Sequence, residues 1–351
     1  MTNKNNSSLQ SEISRHPLVI KADRLCHYYE VPTWIVTICV YSLWLTLTFY
    51  FQAIPWYAMA ILAPLTIAWH GSLRHEATHN HPINRKVATL VGYPPLNLCD
   101  PFVLYRETHQ RHHRNEHLTD PYEDPESFFY RKEDWESKSW LMQKLWIFNQ
   151  TFFGRMTIGP AIIYGRWYVR EVKAMLLGDT TRMRIWAEHA IIVAALLYWV
   201  TQICGIALWQ YVVFFAYPGI SIGLIRSFYE HRYDASPLGR CVLVERSPFF
   251  QMLFLNNNFH AVHHDKPGMP WYQIDEYYRA RKEYYQQASE NYVVESYGQL
   301  MREFMFKPIF YPVHPLAETS HIPPEEHATH EKPLVDAVLP IFEDDISATG
   351  R

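Results

Sequence analysis

Long apolar blocks interrupt an otherwise polar chain, and they occur in two pairs. The four blocks lie at about 34–51, 57–72, 186–203 and 206–225. A helix needs about 20 mostly apolar residues to cross a bilayer, so each block predicts a membrane span. Short turns around Pro55 and Gly205 join the members of each pair. The pattern therefore predicts an all-α integral membrane protein with two transmembrane helical hairpins.

The polar segments divide the chain into three parts. Residues 1–30 form a polar leader, and 31–314 contain the membrane domain. Residues 315–351 are rich in Pro, Glu and His, which predicts a disordered tail. Within the membrane domain, 87–98 is apolar but too short to span, so it predicts a buried or re-entrant segment.

Two further segments predict helices outside the spans. Residues 128–179 mix aromatic side chains with Lys and Arg, which is typical of amphipathic helices lying along a membrane face. An ordinary cytosolic helical subdomain is the alternative. Residues 277–310 predict exposed helices. Together these segments would form a helical cap at one end of the spans.

The distribution of positive charge predicts which end that is. The loops 51–56 and 201–209 contain no Lys or Arg. The positive-inside rule therefore places the opposite end, with both termini, in the cytoplasm. A formal net charge of -3 makes nucleic acid an unexpected partner, and the five cysteines show no metal-like spacing.

Three histidine clusters lie at polar edges of the apolar blocks: HEATH at 75–79, HQRHH at 109–113 and HAVHH at 260–264. On a helix, residues three and four apart share one face, so each cluster can point at one centre. Eight imidazoles exceed what one metal can use. Without cysteine they fit two octahedral iron ions better than a closed tetrahedral zinc site. The eight are His75, His79, His109, His112, His113, His260, His263 and His264.

These three boxes, with spans between the second and third, resemble the membrane fatty acid desaturase superfamily of non-haem di-iron enzymes. The resemblance covers about 75–271 and includes NNNFHAVHHDKP at 256–267, which is similar to the distal box of acyl and sphingolipid desaturases. It implies two iron ions as cofactor and dioxygen as co-substrate. It also implies a further histidine after the fourth span, and His231 is the only histidine between His189 and His260. A helix continued past Arg226 would bring His231 to the level of the first box, whereas an interfacial histidine bonded to a backbone carbonyl is the alternative.

Acidic and amide side chains near the boxes are candidates for orienting the imidazoles, because metal-bound histidines usually donate their other ring nitrogen to an acceptor. By proximity in sequence these are Glu76, Glu230 and Asp265, with Glu107, Asp120 and Asp124. The resemblance suggests that Asn256 or Asn258 reaches a metal through water. The alternatives are solvated loop charges, helix caps and structural amides.

The resemblance implies a desaturase that introduces a double bond into a fatty-acyl or similar lipid-like substrate, with a hydroxylase of the same superfamily as the runner-up. HEATH also matches the HExxH zinc protease motif with Glu76 as general base, but that hypothesis leaves six box histidines unexplained. A metal transporter would carry its ligands within the spans, not at their ends.

The electron donor is expected to be a separate protein, a ferredoxin or a b-type cytochrome with its reductase. The chain shows no fused haem module and no Gly-rich dinucleotide fingerprint. The short length resembles the bacterial side of the superfamily, which implies a bacterial inner membrane.

Overall fold

The computed structural model describes residues 24–114 and 117–315, and these are mostly helical. The predicted tail from 316 onward and leader residues 1–23 lie outside the described residues. Besides a short helical stretch at 24–28, the helices in chain order are α1 (Val31–Phe49), α2 (Trp56–Thr78), α3 (Arg85–Gly92), α4 (Phe102–Arg114), α5 (Lys132–Glu136), α6 (Trp140–Asn149), α7 (Phe152–Thr157), α8 (Gly159–Leu176), α9 (Thr180–Tyr198), α10 (Leu208–Tyr211), α11 (Tyr217–Ser227), α12 (Pro248–Leu253), α13 (His260–Asp265), α14 (Trp271–Ala280), α15 (Lys282–Ala288) and α16 (Tyr297–Phe304).

Three helical segments of the described chain are long and apolar enough to cross a membrane. They are Val31–Phe49, Thr180–Ile203 and Leu208–Ser227, and much of their surface faces outward. The fourth predicted span exists as the 23-residue helix α2. Its C-terminal part carries His70, Arg74, His75 and Glu76, all buried, so its composition is too polar for the same criterion. A crossing by α2, and with it the four-span arrangement, stays a prediction.

Helix α2 is central because it packs along both α1 and α11. The contact with α11 is close at Gly219, where a Cβ atom would overlap Ile67 and come 3.2 Å from the carbonyl oxygen of Pro64. Away from the histidines, Met59 and Ala63 of α2 contribute to the largest apolar cluster. This packing aligns the C-terminal ends of α2 and α11, and both ends lead into histidine residues.

The helical segment that follows the loop at Gly205 contains a π-helical turn at Val212–Ala216, shortly before Pro218. Proline has no backbone N–H to donate to the preceding turn, and a π-helical turn is one recognised way in which a helix accommodates such a defect. The sequence predicts a kink at Pro218, and the irregularity lies just ahead of it. A second π-helical turn, Trp199–Ile203, ends the preceding helix.

The segment after the third box departs from the prediction of exposed helices. A two-residue parallel strand pair, β1 (Leu243–Val244) with β2 (Val293–Val294), is an addition to the all-α class. It draws Tyr278 and Tyr285 into a buried cluster beneath the third box. The segment is thus partly core. Predicted helices within 128–179 are present as α5 to α8, and 87–98 is partly buried, as predicted.

Candidate metal centre

Each histidine box lies on a helix, and the three helices meet at one place. The first box ends α2, the second lies in the last turns of α4, and the third forms α13. The expectation that each box points at one centre holds for His75 and His79, whereas the second and third boxes each divide between two groups. Among the described residues, the nine predicted histidines form two groups in which one nitrogen per ring lies within 4.8 Å of the others.

The five-histidine group consists of His75, His79, His109, His113 and His263. The Nε2 atom of His109 lies 3.1 Å from Nε2 of His79 and 3.1 Å from Nε2 of His113. The Nε2 atom of His263 lies 3.0 Å from Nε2 of His113. All three boxes therefore contribute to this group.

The four-histidine group consists of His112, His231, His260 and His264. Nε2 of His231 lies 3.1 Å from Nε2 of His112 and 3.0 Å from Nε2 of His260. The route that brings His231 here differs from the expected one. Helix α11 ends at Ser227, and an isolated antiparallel bridge to Cys241 holds His231 in place of a continued helix.

The nitrogen spacing fits metal ions. Metal–nitrogen bonds of about 2.1 Å at right angles would separate two ligand nitrogens by about 3 Å. The contacts between Nε2 atoms, at 3.0–3.1 Å, have this length. Neutral nitrogens so close need a shared proton or a shared cation, and several converge in each group. The donor set is therefore suited to two ions of the kind that imidazole binds.

Burial keeps most of these imidazoles neutral, which is the form that binds metals. Loss of solvation lowers the pKa of His109 and His260 well below the usual value, and that of His231 to about 3. His112 is the exception. Burial lowers its pKa too, but the nearby carboxylates of Asp124 and Glu126 outweigh that effect and raise the pKa to about 9.

In three of the imidazoles, the Nδ1 nitrogen, which faces away from the group, has a hydrogen-bond acceptor that fixes the tautomer. The Nδ1–H group of His112 donates to Asp124 at 2.8 Å, and that of His109 donates to Glu126 at 3.1 Å. The Nδ1–H group of His260 donates to Oδ1 of Asn257 at 2.9 Å. With these protons on Nδ1, each Nε2 lone pair points into its group.

The predicted supporting residues agree only in part. Glu230 lies 3.4 Å from Nδ1 of His260, and Asp124 binds His112, as proximity in sequence suggests. Glu76 instead accepts the backbone N–H of Trp271, and Asp265 accepts the hydroxyl of Tyr285. Both carboxylates thus bind residues of α14 and α15 instead of an imidazole.

Of the three asparagines before the third box, the middle one contacts the histidines. Asn256 donates to the carbonyl of Trp271, and Asn258 donates to that of Val244. Asn257, between them, contacts both groups, because its Nδ2 also lies 3.4 Å from Nε2 of His75. Leu255 and Asn256 adopt positive φ, which turns the chain before the box and sets which amide faces inward.

Sequence reasoning missed Asn257 and Glu126 as partners of the histidines. Their signals were indirect: an amide triplet before the third box, and an acidic loop after the second. It also left out the buried His70, which lies 3.3 Å from the hydroxyl of Tyr41. The sequence predicts that His189 is buried with its ring hydrogen-bonded, and its Nε2 atom lies 3.3 Å from the carbonyl oxygen of Leu98.

Comparison with known proteins supplies the family. The family model described as fatty acid desaturase matches residues 51–296, well over half of the 351 residues. The chain belongs to the fatty acid desaturase family. No curated protein and no solved structure gives a significant match. Fatty acid desaturases are oxidoreductases with histidine-bound di-iron sites, so membership indicates desaturase-type or hydroxylase-type chemistry at the histidine groups.

Proposed function

We propose that the chain is a dioxygen-dependent di-iron desaturase that introduces a double bond into a fatty-acyl or similar lipid-like substrate. The observation that carries this proposal is the convergence of nine imidazoles into two adjacent groups. The groups are adjacent because His112 and His113 follow each other on α4 and enter different groups. One ion in each group would give the pair that family membership implies.

Two iron ions held there would supply the activation of dioxygen that side chains cannot provide for an unactivated C–H bond. The chain's own residues position them. Asp124, Glu126 and Asn257 accept the Nδ1 protons of His112, His109 and His260, and burial lowers the pKa of His109 and His260. Residues His75 and His79 come from a helix that is packed on both sides, which limits movement of the ligands.

The reaction needs two electrons besides those of the substrate. Loss of two hydrogens from the substrate supplies two electrons, and reduction of dioxygen to two waters takes four. The remaining two would come from a separate donor, a ferredoxin or a b-type cytochrome with its reductase. The bilayer surrounding the apolar helices would deliver the lipid-like substrate.

The position of Glu76 weighs against the zinc protease alternative. A general base must face the metal-bound water, whereas this carboxylate is buried and accepts the backbone N–H of Trp271 at 2.8 Å. The hydroxylase alternative uses the same histidines and differs in the product.

Product mass tests the function. The protein is expressed with a donor system and supplied with labelled acyl lipids, and the products are analysed by mass spectrometry. A loss of two hydrogens is expected, with two irons per purified chain; a gain of one oxygen would indicate the hydroxylase instead. His263→Ala should abolish product formation and remove part of the bound iron. A preparation with one zinc per chain and no oxidised product would contradict the proposal.

A further inference from the structure

A cavity of about 480 Å³ lies between α2, α8 and α11, and its wall includes residues that contact His109. Glu126 lines it and accepts the Nδ1–H group of His109, and Tyr105, also on its wall, has its ring centre 6.0 Å from that of His109. Apolar wall residues such as Ile220 and Leu224 lie along α11. A chain entering this cavity would therefore end beside the five-histidine group.

Positive charge exceeds negative charge on the cavity wall. Four arginines line the cavity, against two carboxylates. Arg74 is paired with Asp100 at 2.7 Å, and Arg226 with Glu230 at 3.0 Å. Glu126, the other wall carboxylate, is engaged by His109. The other two of the four wall arginines lie on α8.

These are Arg166 and Arg170, and within the described part of the chain neither forms an ion pair. Arg166 lies over the rings of Tyr130 and Trp146, at 5.0 and 4.9 Å. The nearest carboxylate in sequence to Arg170 is Glu171, which Arg182 binds at 2.5 Å. Loss of solvation lowers the pKa of Arg170, the nearby carboxylate of Glu171 raises it, and the guanidinium groups of Arg182, Arg166 and Arg111 lower it further. Three guanidinium groups against one carboxylate make the surroundings of Arg170 predominantly positive.

Both arginines are exposed as well as lining the cavity, so they mark its opening. The other face of α8 exposes Val169, Val172 and Leu176, which suits contact with a bilayer. The guanidinium groups of Arg166 and Arg170 would thus meet the polar end of a molecule whose apolar part lies inside the cavity. A guanidinium fork matches the geometry of carboxylate or phosphate oxygens.

We propose that Arg166 and Arg170 bind the oxyanion head group, carboxylate or phosphate, of a single-chain amphiphilic substrate whose chain occupies the cavity. This rests on the proposed function, because it names the class of substrate for that site. The proposal predicts that the site prefers anionic amphiphiles to neutral hydrocarbons and alcohols, which have no oxyanion for the two guanidinium groups to bind.

Equilibrium binding tests the proposal without turnover. Radiolabelled dodecanoate and dodecanol are titrated against the full chain in a neutral detergent. Dodecanoate should bind about tenfold more tightly, a modest factor because solvent weakens charge pairs at an opening. The double variant Arg166→Gln/Arg170→Gln should remove this preference. Lys173→Gln/Arg184→Gln is the matched control, because it removes two charges from α8 and α9 outside the cavity and should keep the preference.

Three results would overturn the proposal: equal affinities in the wild type, a preference that survives in the Arg166→Gln/Arg170→Gln variant, or its equal loss in the control. Competition by dodecyl phosphate supports it and ranks the two oxyanions. Displacement by phosphatidylglycerol alone would overturn it, because a two-chain bilayer lipid would then be the occupant.

The same titration in His263→Ala separates this inference from the proposed function. That variant should lose iron and turnover but keep the preference for dodecanoate. A wild-type protein without iron or oxidised product that still prefers dodecanoate would refute the di-iron function and leave the head-group site standing.

Discussion

The imidazoles of His109, His112 and His260 each present one nitrogen to their group and bind an acceptor with the other. For His231 the partner behind is weak. Its Nδ1 lies 3.3 Å from the carbonyl oxygen of Arg240, whereas His112 has a carboxylate at 2.8 Å. The backbone bridge to Cys241, not the side chain, positions His231. Its side chain is thus free to serve as a ligand without being needed for the fold.

We therefore expect His231→Ala and His231→Gln to fold normally and to lose the ion of the four-histidine group. Iron per chain should fall from two to one or fewer, with loss of turnover, as measured by metal analysis and product assay. His189→Ala is the control, since that buried histidine binds only the carbonyl of Leu98 and enters neither group. Two irons and full turnover in His231→Ala would return His231 to a structural role.

At the scale of elements, close approach of α2 and α11 determines where the boxes meet. Gly219 permits it, because any side chain there would overlap Ile67. Helices that touch through a glycine leave little room for relaxation, and overpacking a close contact costs about 1–3 kcal/mol.

Gly219→Val should therefore lower the midpoint of thermal unfolding in detergent and reduce the iron content. Gly223→Val is a matched substitution one turn further along α11, where an added Cβ meets nothing within 4 Å. It should unfold at the wild-type temperature, although it faces the cavity and can affect turnover. Equal stability of the two variants would show that the contact at Gly219 does not matter.

Helix type and histidine facing could be predicted because they depend on local periodicity. Each apolar block corresponds to one helical segment. His109 and His112 lie three residues apart on the single helix α4. The partners of the rings could not be predicted, because loops set them. Asn257 faces inward only after the positive-φ turn at Leu255 and Asn256, and residue spacing does not reveal such a turn. Glu126 comes 17 positions after His109 and lies outside the helices and strands of the described chain.

At the scale of the whole molecule, the charge distribution predicts which side of the membrane each loop faces. The turn between the first two helices exposes Gln52, and the stretch before α1 exposes Cys26. The charge distribution predicts that they lie on opposite sides, with Cys26 in the cytoplasm.

Single-cysteine variants test this prediction. A membrane-impermeant maleimide should label the variant retaining only Cys26 in inside-out vesicles alone. The variant with Gln52→Cys as its single cysteine should react in right-side-out vesicles. Labelling of both from the same side would show that α1 does not cross the membrane.

Neighbouring histidines belong to different groups: His112 and His113 diverge on α4, and His263 and His264 diverge on α13. An ion bound in one group would fix the rotation of both helices and so order the ligands of the other. Loading should then be cooperative, and couplings between sites are typically about 1–3 kcal/mol. Native mass spectrometry at half the required iron should find mostly empty and doubly loaded chains. Independent sites would instead leave about half of the chains with a single ion. A cell short of iron would then hold fewer complete centres, and few half-built ones.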